Sequence, residues 1–173
     1  MEFELLPLKE EQMVHFKTDM QETFRKGAEE SGACGDEEVL PASHIDRSLA
    51  TNGSVAYGAF VGGELSGGAI VVIDEETQHN HLDFLYVKYG TQSRGIGQKI
   101  WDFIEKLHPD TKIWETYTSY FEKRNIHFYV NRCGFHVVEF FNKYHHGPRD
   151  PDMNDDCGGD GFDGMFRFEK KMK

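Results

Sequence analysis

Two side chains that could transfer protons, His81 and Asp83, stand two residues apart in the alternating segment 81–87. A strand repeats every two residues, so the alternation predicts that His81 and Asp83 share one face with Leu85. The opposite face is then expected to carry Leu82, Phe84 and Tyr86. An imidazole titrates near neutrality, which suits a general base that deprotonates an amine. We interpret His81 as a candidate base with Asp83 beside it; the alternative is a pair of ordinary polar residues at a sheet margin.

A glycine-rich turn follows and leads directly into the apolar repeat of a helix. The repeat predicts a stripe that packs on a sheet, formed by Ile96, Ile100, Phe103, Ile104 and Leu107. The residues at the helix entrance are Gln92, Ser93, Arg94, Gly95, Ile96, Gly97 and Gln98. A helix N-terminus offers free backbone N–H groups and the positive end of the helix dipole, and together these bind pyrophosphate. The turn therefore predicts a site for a nucleotide cofactor.

Two familiar phosphate motifs do not fit this turn. The dinucleotide fingerprint needs a third glycine where Ile100 stands, and the P-loop needs Lys and then Ser or Thr where Ile96 and Gly97 stand. Residues 92–97 instead resemble the Q/R-x-x-G-x-G/A motif of the GNAT acyl-CoA N-acetyltransferases. That family also has a strand ending in Leu-x-Val just before the motif, and Leu85-Tyr86-Val87 matches it.

A second block of the chain, residues 120–140, is similar to the family's N-x-x-(A/F)-x-x-F-Y-x-x-x-G-F segment. The matching residues are Asn125, Phe128, Tyr129, Gly134 and Phe135. Asn125 and Tyr129 are one helical turn apart, so we expect them on the same face of a helix that Gly134 closes. The two blocks together cover about a third of the chain.

The resemblance implies a fold and a reaction. The fold would be the α/β GNAT fold, a mixed and twisted central sheet of about six to seven strands with helices on both faces, in a single domain over residues 1–173. The reaction would move the acetyl group of acetyl-CoA to a primary amine by direct attack, without a metal. Two alternatives remain open: a CoA-binding sensor or interaction module without turnover, and an enzyme that uses a longer acyl-CoA.

The resemblance also implies roles for individual residues. Besides the turn, the cofactor is expected to contact Leu85, Tyr86, Val87, Asn125 and Phe128. The backbone N–H groups of the first three would polarise the thioester carbonyl. Tyr129 would protonate the departing thiolate, with a half-buried structural tyrosine as the alternative. Glu115 on the neighbouring strand is a second candidate base, acting directly or through water. Water relays serve many family members, so a single essential base is not required.

The amino-acid composition limits which binding partners and which cellular compartment we expect for this chain. The formal net charge of −11 argues against nucleic-acid binding and favours a cationic amine acceptor, on a small molecule or on a peptide or protein. Three cysteines, Cys34, Cys133 and Cys157, lack metal-ligand spacing and suit reduced thiols in a cytoplasm. No apolar run is long enough to span a membrane. A homodimer is a further expectation.

The apolar and turn residues in the rest of the chain predict the other strands and helices. Strands are expected over residues 3–8, 112–116 and 165–172, helices over residues 10–29 and from Pro41 onward, and a hairpin around Gly62 and Gly63. The helical region between the first two strands, residues 27–52, would shape the acceptor pocket.

Two segments, one acidic and one with adjacent histidines, are candidates for a metal site. The loop that begins at Asp150 departs from an EF-hand at the required glycine, which is Asp155, and at the closing glutamate, which is Gly161. The pair His145-His146 has no third ligand nearby in the sequence, so we expect a solvated pair. No metal site is therefore predicted.

Overall fold

The computed structural model describes residues 2–30, 40–91, 95–120, 122–145 and 164–173. Two compact units are formed, one by Met1–Trp114 with Met172–Lys173 and the other by Glu115–Lys171. The boundary lies inside one strand, Ile113–Ser119. A single domain over residues 1–173 therefore stays a prediction. Within the described ranges, no helix combines the length and the apolar character needed to cross a bilayer.

The first unit contains four antiparallel strands in the order β1-β2-β3-β4. Their bounds are Phe3–Pro7 (β1), Ser54–Val61 (β2), Glu64–Val72 (β3) and His79–Val87 (β4). The helices are α1 (Met13–Glu30), which follows a 3₁₀ turn at Glu10–Gln12, α2 (Ala42–Ala50) and α3 (Ile96–Leu107). The predicted hairpin is confirmed, because Gly62 and Gly63 adopt positive φ between β2 and β3.

Two glycines of β3 show which helix covers which face. A Cβ atom at Gly67 would lie 3.3 Å from Ile100 of α3, whereas one at Gly68 would lie 2.6 Å from the Phe16 ring of α1. Successive residues of a strand point to opposite faces, so α1 and α3 lie on opposite sides of β3. The core on the α1 side consists of Phe16, Met20, Leu40, Ile45, Ile70 and Tyr86.

The close packing at Gly68 carries a stability prediction. We expect Gly68→Ala to lower the free energy of unfolding by about 1–3 kcal/mol, because the added methyl group forces neighbours apart. Those neighbours are the Phe16 ring at 2.6 Å and the Tyr57 carbonyl oxygen at 2.5 Å. Urea unfolding checks the value. Gly27→Ala is the matched control: nothing lies within 4 Å of its added methyl group, so a small gain of about 0.5–1 kcal/mol is expected. Equal effects of the two changes would contradict the packing argument.

The second unit contains the remainder of β5 (Ile113–Ser119), with β6 (His136–Phe141) and β7 (Met165–Lys171). The strand order is β5-β7-β6, and β6 pairs with β7 antiparallel. Helix α4 (Lys123–His127) continues into a π-helical turn at Phe128–Arg132. The buried apolar side chains of this unit are Tyr129, Cys133, Phe135, Phe141 and Phe168.

The helix stripe predicted for α3 is only partly right. Ile96, Ile100 and Ile104 are buried, but Leu107 is 47% exposed and Trp101 is buried although the stripe omits it. The Trp101 ring packs edge-on against Trp114, with ring centroids 5.2 Å apart. The buried face of α3 is therefore wider than the apolar repeat predicts, because it also includes Trp101, which packs against Trp114.

Candidate active site

The entrance of α3 has the backbone conformation expected of an anion site. Gly95 is the N-cap residue with φ 75°, in the left-handed region that glycine adopts most readily. The first intrahelical hydrogen bond runs from the Lys99 N–H to the Gly95 carbonyl at 3.1 Å. The N–H groups of Ile96, Gly97 and Gln98 precede it, and no described side chain caps them. These residues therefore fit a pyrophosphate; Gln92, Ser93 and Arg94 lie outside the described residues.

The last residues of β4 lie beside the glycines of β3. In the register, Leu85, Tyr86 and Val87 pair with Ala69, Gly68 and Gly67 respectively. The missing side chain at Gly67 matters, since a Cβ atom there would lie 2.6 Å from the Tyr86 carbonyl oxygen and 3.3 Å from Ile100. The glycine allows α3 to pack directly on this stretch of the sheet. The strand end that resembles the thioester-binding segment is thus held close to the helix that resembles the pyrophosphate site.

A β-bulge at Asp83 changes the faces predicted for β4. Val71 pairs with Leu82 while Ile70 pairs with Phe84, so Asp83 has no partner in the β3 register. Asp83 hydrogen-bonds to Ser48 of α2, and Phe84 packs against the core cluster that contains Ile45 of the same helix. Asp83 and Phe84 therefore point to the same side, because a bulge shifts the alternation by one residue. The prediction of opposite faces for these two residues is wrong.

The three side chains His81, Asp83 and Ser48 form a hydrogen-bonded chain. The His81 Nδ1 atom lies 2.6 Å from Asp83 Oδ1, and the Ser48 hydroxyl donates to Asp83 Oδ2 at 2.5 Å. A carboxylate accepts hydrogen bonds only, so this contact requires the proton on Nδ1. The side chains of His81 and Asp83 are 30% and 21% exposed, which leaves them within reach of a substrate. This is the arrangement of an oriented general base.

In the second unit, Tyr129 lies at the start of the π-helical turn with 8% of its surface exposed. Burial raises the pKa of the Tyr129 phenol, the Cys133 thiol adds to that rise, and a hydrogen bond with the Thr116 side chain opposes it. The phenol therefore keeps its proton at neutral pH. Asn125 donates to Thr118 at 3.5 Å. Because Thr116 and Thr118 share one face of β5, Asn125 and Tyr129 contact the same face of that strand. Phe128 packs edge-on against Tyr129, with ring centroids 5.5 Å apart.

Glu115 is part of an ion-pair network on the other face of β5. Its carboxylate accepts from Arg167 at 3.1 Å and from the Tyr117 hydroxyl at 3.4 Å. Arg167 also pairs with Glu139 at 2.8 Å and with Glu169 at 2.6 Å. Residues one apart on a strand face opposite ways, so Glu115 points away from the side on which Thr116 meets Tyr129. These contacts favour a structural role for Glu115 over that of a base.

Several sequence interpretations concern histidines, cysteines and the acidic loop. His145 is exposed but hydrogen-bonds to Glu139, and that bond is the largest cause of a lowered Glu139 pKa. Cys133 is buried and is not part of a disulfide. The acidic loop 150–161 and the residues His146, Cys34 and Cys157 lie outside the described residues.

Two polar residues of the site were missed by the sequence analysis. Ser48 lies in a helix whose apolar pattern carries no sign of a bond to a strand 35 residues away. Thr116 could have been found, because the alternation in β5 places it on the buried side with Trp114 and Thr118.

Comparison with known proteins agrees with this geometry. The sequence profile of the Acetyltransferase (GNAT) family matches residues 16–135, well over half of the chain. The chain belongs to the GNAT acetyltransferase family. It is 41% identical over 175 residues to the uncharacterized protein YrkN of Bacillus subtilis (strain 168), covering 95% of this chain and 91% of YrkN.

Solved GNAT structures share the fold at low sequence identity. The PaiA N-acetyltransferase of Thermoplasma acidophilum, crystallised with coenzyme A, aligns with a TM-score of 0.70 at 20% identity, covering 99% of this chain and 100% of that one. A GNAT acetyltransferase of Elizabethkingia anophelis with acetyl-CoA bound aligns with a TM-score of 0.69 at 13% identity, covering 98% of both chains. The GNAT fold, with its mixed sheet of seven strands and flanking helices, is confirmed, and the protein is an acyltransferase of this family.

Proposed function

We propose that this GNAT protein transfers the acetyl group of acetyl-CoA to a primary amine. The observation that carries the proposal is the entrance of α3, where Gly95 turns the backbone and the first-turn N–H groups precede the first helical bond. Such an entrance suits a pyrophosphate. Residues 92–94 complete the family motif and would add donors. The acceptor would be a cationic amine of a small molecule, peptide or protein, which the formal net charge of −11 attracts.

Each candidate catalytic residue would act on a particular atom of the thioester or of the amine. The backbone N–H groups of Leu85, Tyr86 and Val87 would hold the thioester oxygen as negative charge develops on it. The His81 imidazole would take one proton from the ammonium group while Asp83 fixes the ring, and water would take the second proton that the nitrogen loses on becoming an amide. Carbon–nitrogen bond formation and carbon–sulfur bond cleavage would leave a thiolate, to which Tyr129 would give its proton. Solvent would then remove the proton from His81 and return one to Tyr129. Asn125 and Phe128 would help to hold the cofactor.

Cofactor binding is the first test of this function. At a hundredfold excess over Kd, CoA should raise the free energy of unfolding by about 2.7 kcal/mol, because it binds the native state alone. We expect Gly97→Leu to abolish the shift, since a bulky side chain in the first turn obstructs the phosphates. Gly27→Leu in α1, where nothing lies within 4 Å of an added Cβ atom, should keep it. Thermal unfolding and titration calorimetry measure both quantities.

Turnover is the second test, and it separates an enzyme from a binding module. With acetyl-CoA and a panel of primary amines, free thiol should appear in proportion to acetylated amine. CoA binding without thiol release for any amine would support a sensor instead. Absence of both heat and thermal shift at millimolar CoA would contradict the proposed function itself.

A further inference from the structure

The phenol of Tyr129 lies among aromatic rings of the second unit. The ring centroids of Phe128, Phe135 and Phe168 are 5.5, 5.6 and 5.9 Å from the centroid of the Tyr129 ring. Apolar surroundings of this kind disfavour a charged group, and burial is the largest cause of the raised pKa of Tyr129. A phenol that gives away its proton here leaves a phenolate that its ring neighbours stabilise poorly.

The side chain of Thr116 brings a hydroxyl group to this phenol. Thr116 lies on β5 and is 2% exposed, although threonine is mostly found at exposed positions. Its hydroxyl hydrogen-bonds to the Tyr129 phenol. Tyr86 of the first unit shows the contrast, because its buried hydroxyl lacks a hydrogen-bond partner among the described residues. Burial raises the pKa of both phenols, and a hydrogen bond opposes that rise at Tyr129.

The hydrogen bond to Thr116 matters most once the phenol has lost its proton. A protonated phenol can donate or accept, whereas a phenolate can only accept, so the Thr116 hydroxyl must then be the donor. Hydrogen bonds to an ionised group are roughly twice as strong as those between neutral groups. The bond therefore strengthens as negative charge develops on the phenol oxygen, which is the condition for lowering a barrier instead of only holding the ground state.

We propose that Thr116 is a positioning residue for acetyl transfer, whose hydroxyl donates to the Tyr129 oxygen and stabilises the negative charge that develops there. This inference rests on the proposed function. In the step concerned, the O–H bond of Tyr129 breaks as an S–H bond forms on the departing thiolate of CoA. The phenolate keeps the electron pair of the O–H bond until solvent returns a proton. Thr116 thus offsets part of the weakening that burial imposes on this acid.

The kinetic test uses acetyl-CoA and the amine panel described above. Thr116→Val keeps the shape of the side chain but removes its hydroxyl, and we expect kcat to fall roughly 10- to 100-fold, the usual effect of a lost hydrogen bond to a charged group. The KM for acetyl-CoA and the Kd for CoA should change less than about twofold, because the bond does not contact the cofactor. Thr116→Ser retains the hydroxyl and should recover most of the lost kcat.

The matched control is Thr111→Val in the first unit. Thr111 is 5% exposed and accepts a hydrogen bond from Asn80 at 2.7 Å, so this variant also loses a buried hydroxyl. It should lower the Tm, as Thr116→Val does, while kcat stays within about twofold. A kcat loss in Thr116→Val that Thr116→Ser does not recover would assign Thr116 a packing role and overturn the inference.

A spectroscopic measurement tests the hydrogen bond without turnover. The carbon-13 signal of the tyrosine Cζ atom responds to hydrogen bonding at its oxygen. The Tyr129 signal should therefore shift in Thr116→Val, return toward its wild-type position in Thr116→Ser and stay in place in Thr111→Val. An unchanged Tyr129 signal in Thr116→Val would overturn the inference for an active and for an inactive protein alike.

A double variant separates this inference from the proposed function. If Thr116 acts through the phenol, adding Thr116→Val to Tyr129→Phe should lower kcat no further, because residues that act as a unit are not additive. A further loss in the double variant would overturn the inference, and so would a fully active Thr116→Val beside a slow Tyr129→Phe. A wild type that releases no thiol with any amine would instead refute acetyl transfer itself.

Discussion

Replacing Tyr129 with phenylalanine is expected to lower kcat by roughly 10²-fold while affinity for CoA stays within about twofold. The change removes only the hydroxyl group. Burial raises the pKa of the phenol, so Tyr129 is neutral and able to donate at neutral pH. Burial also disfavours the charged thiolate of CoA. A thiolate formed beside Tyr129 would therefore take the proton of the phenol readily. Steady-state kinetics with acetyl-CoA and calorimetry with CoA measure the two quantities.

The control for this prediction is the same change at Tyr117. Its hydroxyl lies 3.4 Å from Glu115, and burial and the Glu115 charge raise its pKa to about 12. Tyr117→Phe therefore removes a half-buried phenol oxygen on the other face of β5, and kcat should stay within about twofold. Each phenylalanine variant loses one hydrogen bond, so stability should fall by about 1 kcal/mol in both. A Tyr129→Phe enzyme with undiminished kcat would move the acid role to another group or to water.

Most of the fold could be predicted from patterns within short stretches of the sequence. The alternation of β2 and β3 with glycines between them predicts the hairpin, and the apolar repeat after Gly95 predicts α3 within a few residues. Each of these signals depends on neighbours two to four positions apart, which the sequence displays directly. The pairing of Trp101 with Trp114 does not depend on such neighbours, and the burial of Trp101 was missed for that reason.

The site was harder to predict where one extra residue interrupts the regular spacing of a strand or a helix. The bulge at Asp83 shifts the alternation of β4, and the π-helical turn at Phe128–Arg132 adds a residue to the helix that carries Tyr129. Both features often occur at functional sites, where they redirect a side chain. A regular spacing of residue types does not display either feature. At the bulge, Asp83 hydrogen-bonds to Ser48 of α2, 35 residues away in the sequence.

The two faces of β5 carry different sets of polar contacts. Thr116 and Thr118 contact the helix with Tyr129 and Asn125, while Glu115 and Tyr117 belong to the Arg167 network. The sequence analysis named both, Tyr129 as the acid through the family resemblance and Glu115 as a candidate base on the neighbouring strand. The alternation of the folded strand, with Arg167 on one side, gives the two groups different surroundings.

Changing His81 to glutamine is expected to lower kcat/KM by roughly 10²- to 10⁴-fold, the usual contribution of a general base. Because a general base must be unprotonated to act, kcat/KM of the wild type should fall toward acid pH, and this limb of the pH profile should flatten in the variant. Asp83→Asn should cost activity as well, because an amide can donate to Nδ1 and favour the wrong tautomer. CoA affinity should change little in either variant. A pH series of kcat/KM supplies the measurement.

The decisive comparison is between the single and double variants. If Asp83 acts only through His81, the double variant should be no slower than His81→Gln alone, since residues that act as a unit are not additive. Ser48→Ala should give a milder loss with wild-type CoA binding, because it removes one of the two donors that hold Asp83. Glu115→Gln is the carboxylate control and should keep the acid limb, since its side chain is bound by Arg167. A limb that persists in His81→Gln would assign the ionisation to the substrate amine, with water removing its proton.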